Sequence, residues 1–172
     1  MVVGGSLGSK RINETVFKNI SWFKDNEVQL IWQTGVLYYD RYKSAQIQLG
    51  EFGKIEAFIN EMGSALFIAD IVISRAGAIA LSELCALGKA SILVPSPNVA
   101  EDHQKKNAQA LSENNAAIMV EENNIDTQLF LVIDSLVKDL QMQEELAANS
   151  KKMSKPKAVE KIVDIIEQLS ND

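Results

Sequence analysis

Ile71-Val72-Ile73-Ser74-Arg75-Ala76-Gly77-Ala78-Ile79-Ala80-Leu81-Ser82-Glu83 holds the fold in miniature. A β-branched run ends at a glycine, and a helical pattern begins at once. A strand that is apolar at successive positions is expected where both faces of a sheet are covered. The same order opens the chain: Met1-Val2-Val3, then Gly4-Gly5-Ser6-Leu7-Gly8-Ser9, then a helical stretch. Working outward, the pattern predicts strands at Met1–Val3, Val28–Gln33, Ile55–Phe58, Ile71–Ser74, Ala90–Val94 and Ala117–Val120. It predicts helices at Lys10–Ile20, Met62–Ala69, Ala78–Leu87, Asp102–Glu113, Asp126–Val137, Gln141–Met153 and Ala158–Leu169. Strand–helix alternation implies parallel βαβ units and a doubly wound, six-stranded α/β sheet. In such a sheet ligands sit beyond the carboxyl ends of the strands, so chemistry is sought in the turns that follow them.

Composition narrows the partners. The 172 residues suit one domain with a full core, and 47% hydrophobic with 23% charged residues is ordinary for a globular chain. A net charge of −6 argues against a nucleic-acid backbone, which wants a basic face. It leaves phosphate open, because backbone N–H groups hold phosphate without net positive charge. The single cysteine, Cys85, forms no internal disulfide and reads as a buried helix residue, which fits a reducing compartment. No apolar run reaches the roughly 20 residues of a membrane span, and no signal peptide is visible. A buried strand and glycine turn at the first residues read as an excised domain. Lys151–Lys157 (KKMSKPK) reads as a solvated break before a tail helix at about 154–172.

Three turns carry chemistry. Gly4–Ser9 offers glycines that let a ligand approach, the N–H groups of the next helix, and the Ser6 hydroxyl. Its spacing matches neither a dinucleotide fingerprint nor a P-loop, and it reads equally well as a tight turn without a ligand. At Arg75–Glu83, a phosphate would rest on the N–H groups of Ala78, Ile79 and Ala80. Glu83 would lean back toward it and accept two hydroxyls of a sugar diol, or else be a solvated acid. After Ala90–Val94, the stiff Pro95-Ser96-Pro97 loop leads to Asp102, a plausible helix cap, and to His103, Gln104 and Asn107, neutral groups suited to sugar hydroxyls. One histidine builds no metal site, and no nucleophile triad is evident. Together the turns suggest one nucleotide-sugar pocket.

These motifs, in order, resemble the MurG family. Gly4–Ser9 with Ile12-Asn13 is similar to its second glycine loop, and Gln33-Thr34-Gly35 to its Gln-Ser/Thr-Gly. Phe58-Ile59 resembles its uracil-contacting segment, Arg75-Ala76-Gly77-Ala78 with Ser82-Glu83 its Arg-Ser/Ala-Gly-Ala…Ser-Glu signature, and Asp102-His103-Gln104 with Asn107-Ala108 its sugar-contacting loop. The match runs over residues 1 to about 125. The sugar loop departs from the family in reading His-Gln instead of a Gln pair.

The resemblance implies a Rossmann-like domain, the C-terminal half of a two-domain GT-B glycosyltransferase, with residues 1–172 forming the UDP-GlcNAc-binding domain. The N-terminal acceptor domain, with the family's base and membrane-facing patch, would be absent. Carried over, Ser6 would touch the diphosphate, the Ile59 backbone would read uracil, and Ala78, Ile79, Ala80, Leu81 and Ser82 would hold the α-phosphate. Glu83 would hold the ribose, Gln104 the GlcNAc, and His103 would contact the donor sugar. The implied reaction moves GlcNAc from UDP-GlcNAc to lipid I, giving lipid II of peptidoglycan with inversion. It needs no cofactor or metal, no catalytic residue lies in this domain, and the whole enzyme works peripherally on the cytoplasmic side of the bacterial inner membrane, this fragment being soluble. Two further readings stay open: another GT-B UDP-sugar transferase or epimerase, and a sugar-nucleotide-binding subunit that needs a partner chain.

Overall fold

In a computed structural model that describes residues 1–170, the strands are β1 (Val2–Val3), β2 (Leu30–Gln33), β3 (Gly53–Glu56), β4 (Ile71–Ser74), β5 (Ala90–Leu93) and β6 (Ile118–Met119). All pair in parallel, in the order β3-β2-β1-β4-β5-β6. The chain therefore winds outward from β1 in one direction, then returns to β4 and winds the other way. The doubly wound expectation holds, and the reversal between β1 and β4 creates the crevice where such sheets bind ligands.

The helices are α1 (Lys10–Lys18), α2 (Ile20–Asp25), α3 (Tyr39–Tyr42), α4 (Ala45–Leu49), α5 (Met62–Ile68), α6 (Ala78–Leu87), α7 (His103–Ser112), α8 (Ile125–Lys138), α9 (Leu140–Lys152) and α10 (Ala158–Ser170). Side chains alternate across the sheet and split the core in two. Val2, Trp32, Ile73 and Ile92 face a core closed by α1, α2, α4, α8 and α9. Val72 and Leu93 face a second core under α5, α6 and α7. Cys85 lies in this second core, as its apolar neighbours imply.

Several expectations need correction. The first predicted helix breaks at Asn19, whose side chain bonds back to the Thr15 carbonyl at 2.9 Å, and a separate α2 follows. The strand expected at Ile55–Phe58 begins earlier, at Gly53, where a Cβ would come within 2.6 Å of the Leu30 carbonyl oxygen. Two short helices, α3 and α4, fill a stretch that the pattern left without structure. They supply Tyr42, whose ring lies 5.4 Å from that of Trp32. Asp102 precedes α7 but makes no capping bond. The break expected over KKMSKPK is shorter: Lys151 and Lys152 end α9, with Lys151 bonded across to the Ala86 carbonyl, Met153 packs against the second core, and 155–157 are exposed. The expected tail helix is α10; positions 171 and 172 of that expectation lie outside the described residues.

Candidate functional site

Two glycine turns build the crevice. The β1–α1 turn closes through Gly8 N–H donating to the Gly5 carbonyl at 3.1 Å. Gly8 has φ +87, and a Cβ there would sit 2.0 Å from the Thr34 carbonyl oxygen. Gly35 has φ +84, and its Cβ would meet Gly8 N at 2.2 Å. The turns after β1 and β2 thus touch backbone to backbone, which only glycine allows. Asn13 locks the pair, donating to the Thr34 carbonyl at 2.7 Å and accepting from the Trp32 indole at 3.0 Å. Ser6 is left exposed at the tip, with its hydroxyl unbonded among the described residues.

Across the reversal, α6 starts at Gly77, which has φ −72, ψ 145 and no side chain to cap the helix. The first intrahelical bond runs from Leu81 N–H to the Gly77 carbonyl at 3.0 Å. The N–H groups of Ala78, Ile79 and Ala80 are therefore the unspent donors of the first turn, next to the positive end of the helix dipole. Leu81 is only 7% exposed and its N–H is used, while the Ser82 hydroxyl donates back to the Ala78 carbonyl at 2.9 Å. Glu83 is exposed, one turn beyond Ile79 and Ala80 on the same helix face, with no bond among the described residues.

Arg75 forms the floor. One guanidinium nitrogen donates to the Val94 carbonyl at 3.0 Å; the other donates to Ser9 Oγ at 2.6 Å and pairs with Glu122. It thereby ties the ends of β1, β4, β5 and β6 together. The Arg75 and Glu122 side chains are only 15% and 13% exposed, so this pair is fixed in geometry instead of being free for a ligand. Gln33, 1% exposed, does the same on the other side: it donates to the Gly5 carbonyl at 3.1 Å and accepts from Ile59 N–H at 2.8 Å. The Ile59 N–H is therefore occupied, leaving its carbonyl as the backbone group open to a ligand.

The third turn is stitched by its own helix. Gln104 Oε1 accepts from Ser96 N–H at 3.0 Å, so its NH2 is the end left over. Asn107 donates to the Ala76 carbonyl at 3.1 Å, fastening α7 to the β4 turn. His103 is exposed, and its Nδ1 lies 2.9 Å from the Ala100 carbonyl, which makes Nδ1 the protonated nitrogen and leaves Nε2 as the free one. Glu101 and Asp102 just before it both have positive φ, 56 and 51, a strained pair for residues with side chains. The residues brought to one edge are thus Ser6, Ile59, Ala78–Ala80, Glu83, His103 and Gln104. Arg75, Gln33, Asn13 and Glu122 hold them there. The first three stood within quoted motifs without an assigned role. A polar residue ending a buried strand, as Gln33 does, was the signal that could have marked the role.

Residues 1–164 match the model of the glycosyltransferase family 28 C-terminal domain. The chain belongs to glycosyltransferase family 28. Among its relatives, a Christiangramia forsetii protein named UDP-N-acetylglucosamine--N-acetylmuramyl-(pentapeptide) pyrophosphoryl-undecaprenol N-acetylglucosamine transferase is 45% identical over 175 residues, covering 100% of this chain and 46% of that protein. A Flavobacterium psychrophilum protein of the same name is also 45% identical, covering 98% and 46%. The chain therefore spans about half the length of the curated relatives it matches. The crystal structure of Acinetobacter baumannii MurG superposes with TM-score 0.81 at 28% identity, covering 97% of this chain and 48% of that one. The glycotransferase of kitacinnamycin, at TM-score 0.70 and 19% identity, shares the fold. In family 28 terms, the crevice described above lies in the C-terminal domain. No helix among the described residues is long and apolar enough to cross a membrane.

Proposed function

We propose that this chain is the donor-binding half of an inverting N-acetylglucosaminyltransferase that moves GlcNAc from UDP-GlcNAc to lipid I, giving lipid II for peptidoglycan. The observation that carries this reading is the uncapped start of α6 facing the glycine turn across the strand reversal, in a chain 45% identical to proteins bearing that transferase name. Backbone donors without a side-chain cap suit a diphosphate, which supplies the missing acceptors.

In this reading the Ser6 hydroxyl and the N–H groups of Ala78, Ile79 and Ala80 hold the diphosphate. The Ile59 carbonyl accepts from the uracil imide, Glu83 accepts the ribose hydroxyls, and the Gln104 NH2 and His103 meet the GlcNAc. The acceptor C4 hydroxyl attacks the anomeric carbon from the face opposite UDP. The bond from that carbon to the phosphate oxygen breaks, UDP leaves with the electron pair, and the hydroxyl proton passes to a base in the other half of the enzyme. Charge grows on the leaving diphosphate, where the α6 end stabilises it most in the transition state. The acceptor site, the base and the attachment to the cytoplasmic face of the inner membrane belong to that other half, the chain's partner.

The test is calorimetry of this chain with UDP-GlcNAc, UDP-GalNAc and UDP-glucose. This reading predicts UDP-GlcNAc first in the ranking, with millimolar-range affinity, about 4 to 6 kcal/mol, because the chain supplies only one half of the proposed enzyme. Equal binding of all three sugars would move the reading to another UDP-sugar transferase; no binding would remove it.

A further inference from the structure

Gln33 ends β2 and is 1% exposed, wedged between two segments that the donor reading assigns different tasks. On one side its Nε2 donates to the Gly5 carbonyl, in the turn after β1, at 3.1 Å. On the other its Oε1 accepts from Ile59 N–H at 2.8 Å. Each partner fixes one end of the carboxamide. Gly5 presents a carbonyl, which only an N–H can meet, and Ile59 presents an N–H, which only an oxygen can meet. Turning the amide over would set oxygen against oxygen and hydrogen against hydrogen. At this depth that is costly, because water does not reach the groups left unpaired.

The segment beyond β3 has little else to hold it. β3 stops at Glu56 and α5 starts at Met62. Thr34 ties down only the strand end, with its N–H and its hydroxyl both donating to the Glu56 carbonyl, at 3.0 and 3.2 Å. Among the described residues, the bond from Ile59 N–H to Gln33 is the one hydrogen bond made by residues 58–60. The direction of that N–H is therefore set by Gln33 and not by the segment's own strand.

This bond has a chemical consequence for a base. With its N–H spent, Ile59 shows a ligand its carbonyl, an acceptor without a donor beside it. Uracil suits an acceptor, since its N3 carries a hydrogen. Cytosine has a lone pair at N3, and two lone pairs repel. With the N–H free, the segment would offer a donor and an acceptor together. Those would pair with the N3 and N4 edge of cytosine as readily as with the O4 and N3 edge of uracil.

We infer, resting on the donor reading above, that Gln33 is a positioning residue that sets the site's preference for uracil over cytosine. By engaging the Ile59 N–H it keeps the base-reading segment an acceptor only. The same carboxamide, held by Gly5, ties that segment to the turn beside the diphosphate, so base and diphosphate are read from one frame.

The test measures UDP and CDP binding by NMR titration on the natural chain and on Gln33→Leu, Gln33→Asn and Gln33→Glu. Leu removes both bonds at similar volume, Asn is one methylene too short to reach both partners, and Glu keeps an oxygen for Ile59. The natural chain should bind UDP at least about fivefold more tightly than CDP. Gln33→Leu and Gln33→Asn should bring the two nucleotides within about twofold of each other, while Gln33→Glu keeps the preference. A side chain that only supports the fold would weaken both nucleotides equally, so an unchanged ratio in the Leu and Asn variants would overturn the inference. Should those variants not fold, the natural chain decides. The scalar coupling across the hydrogen bond from Ile59 N–H to the Gln33 carboxamide should persist when UDP binds. Its disappearance on binding would mean that the N–H has turned to the base, and would equally overturn the inference. No UDP binding to the natural chain would instead remove the donor reading itself, and the role of Gln33 with it.

Discussion

Glu83 tests the donor site one residue at a time. A carboxylate that accepts both ribose hydroxyls should lose about 1.5–3 kcal/mol of UDP binding on Glu83→Ala. The loss should be smaller for 2′-deoxy-UDP, which has already given up one of those bonds; calorimetry with both ligands separates the cases, and equal losses would take Glu83 off the 2′-hydroxyl. Arg75 tests the floor. Replacing it with Met leaves Glu122 partly buried without its partner, a change that should cost up to about 3 kcal/mol in urea unfolding. Adding Glu122→Leu should recover part of that loss.

The start of α6 is the element on which the site turns. Gly77 has extended φ/ψ suited to a capping residue, and a Cβ there meets nothing within 4 Å. Gly77→Asp should therefore cap the helix and raise stability by about 0.3 kcal/mol. Its carboxylate would claim the same N–H groups and repel a diphosphate, so UDP affinity should fall; unfolding and calorimetry on one sample show whether the two effects oppose each other. The start of α6, the glycine turn after β1 and the order of strands and helices were all legible in the sequence. Each is written locally, in β-branched runs that stop at glycine. What was not legible depends on contacts distant in the chain. The roles of Gln33, Arg75 and Glu122 arise only when strand ends meet, and α3 and α4 are too short for a periodicity to show. The break at Asn19 rests on one side chain bonding back to Thr15. Leu81 and Ser82 were expected at the phosphate because the motif includes them; what the motif did not show is that the Leu81 N–H is bonded to the Gly77 carbonyl and the Ser82 hydroxyl to the Ala78 carbonyl.

At the scale of the molecule, the last helix, α10, presents an exposed apolar face. Val159, Ile162, Ile165, Ile166 and Leu169 of α10 are all more than half exposed, so the helix adds little to the core. Ending the chain after Ser154 should leave the melting temperature within about 2 °C and reduce self-association, both measurable by calorimetry and light scattering. Transfer should be absent from this chain alone, because the acceptor hydroxyl, a base and the anomeric carbon must be aligned together. The central claim is that a uridine diphosphate sits at the carboxyl edge of the sheet, across the β1–β4 reversal. An NMR titration with UDP to millimolar concentration, repeated with EDTA in place of magnesium, tests it most directly. The account predicts saturable shifts at the amides of Gly5, Ser6 and Ala78–Ala80 and around Ile59, unchanged by EDTA. No shifts at millimolar UDP, or shifts confined to the amino edge near Met1 and Ile71, would contradict it.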